Sequence, residues 1–228
     1  MIPSPRKPQL IIFDCDGVLV DSEPLSIQVL LETMASLGLP LTATECYQMF
    51  LGRSFASLKR TLRDRFRREL TDQHIEAMRQ RLSELYREHL QPIDGIALAL
   101  EQLTVPSCVA SSSFPERISL SLDLTGLSWY FGDHVFSATM VQHGKPAPDL
   151  FLYAADRMGV APQHCVVIED SPAGIEAAHA ASMRAFAFVG GSHAAPAGLR
   201  ASIAPLGPAA IFDRMAELPA LIETLADP

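Results

Sequence analysis

The stretch Leu10-Ile11-Ile12-Phe13-Asp14-Cys15-Asp16-Gly17-Val18-Leu19-Val20-Asp21-Ser22 decides how the rest of the chain is read. Its first four residues are apolar without alternation, the pattern of a strand buried on both faces, as in a parallel sheet covered by helices. The run stops at two carboxylates one residue apart, followed by a glycine. Parallel sheets bind ligands at the carboxyl ends of their strands, so Asp14 and Asp16 stand where such a fold places its chemistry. Two anions this close repel, and they need a cation between them or a shared proton. The stretch is therefore a candidate site as well as a strand.

Beyond it, Ser22-Glu23-Pro24 carries helix-start chemistry. Leu25, Val29, Leu30, Thr33 and Leu37 then recur at helical spacing until Gly38. Thr42 and Glu45 are spaced as a capping box for a second, short helix, which Gly52-Arg53-Ser54 breaks. Phe55, Leu58, Leu62, Phe66 and Leu70 mark a third helix, and Ile75, Met78, Leu82 and Leu85 a fourth. With no convincing strand in this region, residues 23–91 are expected to form an inserted α-helical domain. Pro92-Ile93-Asp94-Gly95 is its return linker, and residues 1–22 and 92–228 form the α/β core.

In the core, strands and helices alternate. Ser107–Ala110 reads as a strand ending at Ser111-Ser112-Ser113, with a helix from about Pro115. Val135-Phe136 is a weaker strand, followed by a loop with Gly144-Lys145-Pro146 and a helix near Pro148-Asp149. Cys165–Ile168 ends at Glu169-Asp170-Ser171-Pro172; helix Ala173–Ala181 and strand Ala185–Val189 follow. Gly190–Ala210 reads as loop, and a helix near Met215–Leu225 as packing on the sheet. The fold class is α/β, a Rossmann-like parallel sheet with right-handed crossovers.

The totals exclude several alternatives. A chain of 228 residues with 48% hydrophobic and 19% charged residues suits a soluble globular protein with one core and a smaller insert. A net charge of −8 disfavours nucleic acid and anionic membranes as partners. No stretch approaches the roughly 20 apolar residues of a membrane span, and no secretory signal precedes the first strand. Cys15, Cys46, Cys108 and Cys165 are scattered, which fits a reducing cytoplasm and neither a zinc site nor a disulfide framework. Nothing sets the oligomeric state; a monomer is the default.

Four strand ends carry distinct polar groups: Asp14/Asp16, Ser111, Lys145 one loop later, and Glu169/Asp170. On one parallel sheet they face the same edge and supply carboxylates, a hydroxyl and a cation, the parts that phosphoryl transfer requires. So many carboxylates in one cleft call for a divalent ion, and all-oxygen ligation with room for water suits Mg²⁺.

These residues resemble the haloacid dehalogenase superfamily, in its branch of sugar-phosphate phosphatases and β-phosphoglucomutases. The resemblance lies in Phe13-Asp14-Cys15-Asp16-Gly17-Val18-Leu19-Val20-Asp21-Ser22-Glu23-Pro24, Ala110-Ser111-Ser112, Gly144-Lys145-Pro146-Ala147-Pro148-Asp149 and Val167-Ile168-Glu169-Asp170-Ser171-Pro172-Ala173-Gly174. It implies an α-helical cap over 23–91 and a phosphatase for a small phosphate ester, a sugar or sugar-acid phosphate. In these terms Asp14 is the nucleophile that forms an aspartyl-phosphate, and Asp16 is the general acid and then the base. Mg²⁺ is held by Asp14, the backbone carbonyl of Asp16, and Asp170, with Glu169 nearby. Ser111, the Ser112 backbone and Lys145 bind the phosphoryl group. Ser171 orients the acidic loop.

Arg53, in the loop between two cap helices, is the candidate for a second polar or anionic group of the substrate; its rival reading joins it to the basic stretch Lys59–Arg68 as a solvated helix face. Where β-phosphoglucomutases carry a histidine, this chain has Ser26, and where they have Thr-Ala it has Ser22-Glu23. Both differences favour hydrolysis over the alternative, a phosphomutase. A non-enzymatic ligand sensor is the remaining rival.

Overall fold

The computed structural model describes residues 7–50 and 55–225. Arg53, with Gly52 and Ser54, lies outside the described residues. One compact unit consists of the chain up to Asp21 together with that from Gln91 onward; the other is Ser22–Leu90.

The first strand, β1 (Leu10–Phe13), is fully buried at all four positions, as its uninterrupted apolar run requires. The helical unit follows. Helix α1 (Glu23–Ser36) starts with Glu23 and Pro24 in its first turn. Of the expected face Val29 and Leu30 are buried and Leu25, Thr33 and Leu37 half-buried, and the helix also buries Ile27 and Met34. Helix α2 (Ala43–Phe50) opens with the expected capping box: Thr42 N donates to Glu45 Oε2 at 2.8 Å and Glu45 N to Thr42 Oγ1 at 3.3 Å. Helices α3 (Phe55–Phe66) and α4 (Asp72–His89) follow, and α4 packs on α1. Thr71 caps α4 by accepting from His74 N at 3.3 Å.

The core unit's chain leaves at Asp21 and returns at Gln91 across a short seam, in which Asp21 N donates to Gln91 O and Ile93 N to Leu19 O, each at 2.9 Å. Helix α5 (Ile96–Gln102), unforeseen in the sequence, precedes β2 (Ser107–Ser111). Then come α6 (Pro115–Leu124), α7 (Ser128–Phe131), β3 (Val135–Ser137), α8 (Asp149–Arg157), β4 (Cys165–Glu169), α9 (Pro172–Ala180) and β5 (Arg184–Phe188). The segment Gly190–Ala210 read as loop contains helix α10 (Leu199–Ile203), and at its end begins a further strand, β6 (Ala210–Phe212), which the sequence reading did not mark. This strand is defined by its partner: Phe186 pairs with Ala210, and the Phe188 and Phe212 rings lie 5.3 Å apart. The last helix, α11 (Leu218–Thr224), rests on α5.

Among the described residues six strands form one sheet, all parallel, in the order β3-β2-β1-β4-β5-β6. The chain winds outward from β1 through β2 to β3, then crosses to the other side of β1 for β4, β5 and β6. The carboxyl ends of β1 and β4 therefore bound the point where strand order reverses, the crevice in which open parallel sheets bind ligands. All four cysteines are buried and free. Trp129 on α7, the chain's single tryptophan, is 71% exposed and stacks on Tyr130 with centroids 3.8 Å apart. Among the described residues no helix is long and apolar enough to cross a membrane.

Candidate active site

Asp14 follows the last residue of β1, and its backbone N–H donates to Ile168 O of β4 at 3.0 Å, so the ladder itself fixes where its carboxylate starts. The next residues fold into a tight turn in which Leu19 N and Val20 N donate to Cys15 O and Gly17 N to Val20 O. Gly17 has φ +78°, and a Cβ there would lie 2.0 Å from Asp170 Oδ2. Both the backbone conformation and the close approach demand glycine.

Lys145, in the loop before α8, reaches the same point. Its Nζ donates to Asp14 Oδ1 at 2.7 Å, Glu169 Oε1 at 2.7 Å and Ala110 O at 3.0 Å, three acceptors for three protons. It lies 4.8 Å from the centre of the Phe151 ring, and its side chain is 5% exposed. Burial pulls the ammonium down, but Asp14 and Glu169 outweigh it and hold Lys145 above its ordinary value. Burial pushes Asp14 well above the carboxylate range; Lys145 opposes this, while Glu169, Asp170 and Asp16 add to it. Asp170 is raised by burial, against the hydrogen bond from His193.

Among the described residues, one group of metal-capable side chains gathers: Asp14, Glu169 and Asp170, all buried, each with an oxygen within 4.8 Å of the others. Hard oxygen donors with excess negative charge fit a divalent cation of the Mg²⁺ type. Glu169 differs from its neighbours in that both its oxygens are engaged. Oε1 accepts from Lys145, and Oε2 accepts from Asp170 N, Ser171 N and Ser171 Oγ, each at 2.9 Å. Ser171 also caps α9, its Oγ accepting from Gly174 N at 3.0 Å. The Asp16 carboxylate lies outside the acidic group; its Oδ2 accepts from Ser113 Oγ at 2.5 Å and Arg117 Nη2 at 2.6 Å.

At the end of β2, Ser111 is buried, its Oγ accepting from Ser113 N at 3.1 Å, and Ser112 is exposed. Ser137, at the end of β3, donates to Ser113 O at 2.6 Å and steadies this turn.

Three participants escaped the sequence reading. Arg117 looks like any surface cation near a helix start. Ser113 was hidden behind Ser111 and Ser112. His193 is 1% exposed with Nε2 2.8 Å from Asp170 Oδ2, and it follows β5 in Gly190-Gly191-Ser192-His193. The strand-end logic used for the other strands, extended to β5, points to it.

Residues 8–182 match the model of the haloacid dehalogenase-like hydrolases. The chain belongs to that family and is an enzyme of its phosphatase type. The 6-phosphogluconate phosphatase of Escherichia coli K12 is 29% identical over 189 residues, 82% of this chain and 86% of that one. The fructose-1-phosphate phosphatase of the same organism is 34% identical over 179 residues, 77% of this chain and 93% of that one. A solved haloacid dehalogenase family hydrolase from Deinococcus radiodurans, with bound phosphate and sodium, matches with TM-score 0.80 and 33% identity over 99% of each chain.

Proposed function

We propose that the protein is a Mg²⁺-dependent phosphatase of a small phosphorylated metabolite, a sugar or sugar-acid phosphate, working through an aspartyl-phosphate on Asp14. The observation that carries this reading is the Lys145 ammonium fixed between Asp14 and Glu169 beside Asp170, at the crevice between β1 and β4. A lysine so placed keeps Asp14 aimed and offsets charge as a phosphoryl group arrives.

In the first step an Asp14 oxygen attacks phosphorus, the bond to the leaving oxygen breaks, and Asp16 gives that oxygen its proton. In the second, Asp16 takes a proton from water, whose oxygen attacks phosphorus and releases inorganic phosphate and the free Asp14 carboxylate. Ser113 and Arg117 orient Asp16 for both steps. The Ser111 hydroxyl and the Ser112 backbone N–H receive the phosphoryl oxygens, and the positive charge of Lys145, its protons held by protein oxygens, offsets theirs. Asp14, Asp170 and the backbone carbonyl of Asp16 would hold Mg²⁺, which supplies charge neutralisation for the phosphoryl oxygens. Glu169, with Ser171, supports this set from behind by fixing Lys145 and the Asp170 backbone. The helical unit 22–90 is assigned the role of a substrate-selecting cap.

The substrate class is supported by the two Escherichia coli relatives, both phosphatases of sugar or sugar-acid phosphates by name. Free, buried cysteines and the absence of a spanning helix among the described residues suit a cytoplasmic enzyme. The decisive test is phosphate release from a panel of sugar phosphates with Mg²⁺. Asp14→Asn is expected to abolish release while circular dichroism stays native, and normal turnover by this variant refutes the reading. Conversion of a sugar 1-phosphate to its 6-phosphate without net phosphate release would decide for a mutase.

A further inference from the structure

We infer that His193 is a positioning residue for Asp170, so that the Gly190–His193 loop after β5, and not the acidic strand end alone, sets how tightly the divalent ion is held. The inference rests on the reading of Asp170 as a ligand of that ion.

The contact is built on several sides. His193 is 1% exposed and its Nε2 lies 2.8 Å from Asp170 Oδ2. A carboxylate only accepts, so Nε2 carries the hydrogen and commits Oδ2 to the imidazole. The other oxygen of Asp170 is then the one left for a cation, and the bond limits rotation of the carboxyl plane. Two glycines make the room. A Cβ on Gly17 would stand 2.0 Å from Asp170 Oδ2 and 2.8 Å from His193 Cε1, and a Cβ on Gly191 would stand 2.7 Å from His193 Cε1. Carboxylate and ring are thus pressed against backbone from two separate segments, one of them the turn that carries Asp14 and Asp16.

The loop is itself anchored. Ser192 donates to Asp21 Oδ1 through its backbone N at 3.3 Å and its Oγ at 2.9 Å. Gly190 runs so close to Asp213 that a Cβ would lie 1.9 Å from its carbonyl oxygen. His193 O accepts from Ala197 N at 2.9 Å, so the imidazole is carried by a fixed backbone. This is the arrangement by which outer hydrogen bonds orient a ligating side chain, and losing one such bond typically weakens metal affinity about 10- to 100-fold.

The experiment is Mg²⁺ titration by calorimetry of the full chain stripped with EDTA, on wild type, His193→Ala, His193→Gln and Gly191→Ala. Melting curves with and without Mg²⁺ accompany it. His193→Ala is expected to weaken Mg²⁺ binding about 10- to 100-fold and to shrink the Mg²⁺-induced rise in Tm. His193→Gln, whose amide can still donate, falls between it and wild type. Gly191→Ala, which displaces the ring without removing it, shifts affinity in the same direction and serves if His193→Ala fails to fold. At saturating Mg²⁺ the phosphatase activity of these variants recovers while their Mg²⁺ requirement stays raised. Folded variants that bind Mg²⁺ with wild-type affinity, even if their EDTA-state Tm drops, overturn the role of His193 and leave the phosphatase reading standing. A wild-type chain that binds no Mg²⁺ overturns the ion-ligand reading together with the inference.

Discussion

Lys145 stands among the acidic side chains with all three protons given to protein oxygens, so its removal tests the electrostatics of the site directly. Lys145→Met would leave Asp14 and Glu169 buried without their counter-charge, and breaking a buried pair in this way costs about 3–5 kcal/mol. Urea denaturation in EDTA is the measurement. The same burial gives a pH dependence. Asp14 and Asp170 both bind protons more tightly in the folded chain than in the unfolded one. Their contribution to stability is therefore complete below the ordinary carboxylate range and is lost as pH climbs through the raised values. In EDTA, Asp170→Asn should gain in Tm relative to wild type as pH rises, and a constant difference across pH contradicts the assignment. Arg117 offers a kinetic test at the same scale. Its ion pair with Asp16 orients the proposed proton donor, so Arg117→Ala should lower kcat by about tenfold on sugar phosphates. The loss should be smaller for p-nitrophenyl phosphate, whose leaving group needs no proton.

Among the elements, α9 shows how closely helix and strand end are fitted. A Cβ on Gly174 would lie 1.8 Å from Glu169 Cδ, so the first turn of α9 rests directly on the carboxylate that holds Lys145. Gly174→Ala should destabilise by about 1–3 kcal/mol, as overpacking does, and should lower activity as well, because Glu169 has to move. Thermal melting with parallel assays checks this. The elements also show what a sequence alone reveals. β1 and β4 were legible because strands buried on both faces need unbroken apolar runs, and the motifs at their ends marked Asp14, Asp16, Glu169 and Asp170 directly. α2 was legible because Thr42 and Glu45 cap it locally. The face of α1 was legible in part: Val29 and Leu30 are buried as their spacing requires, whereas Ile27 and Met34, as apolar as Leu25, are buried more deeply than it for reasons of tertiary packing that helical spacing does not carry. β6 was invisible because three residues carry no period, and β5 supplies the pairing that makes them a strand. His193 was missed because a buried imidazole between glycines becomes legible once two distant segments are brought together.

For the whole molecule, the strand order gathers groups from residue 14 to residue 193 at the reversal point beside β1, within one compact unit. The helical unit enters and leaves this core at residues joined by one backbone hydrogen bond, Asp21 N to Gln91 O. Replacing residues 23–89 by a short Gly-Ser link should therefore leave a folded core that still binds Mg²⁺, with its preference among sugar phosphates lost. Calorimetry and the substrate panel check both halves. How such folding measurements are read depends on Trp129. At 71% exposure its indole already meets solvent in the native chain, so its emission starts near the long-wavelength limit and shifts little on denaturation. Fluorescence would then register chiefly the separation of indole from Tyr130, at one corner of α7, and could report an intact melting baseline while the sheet beneath has already come apart.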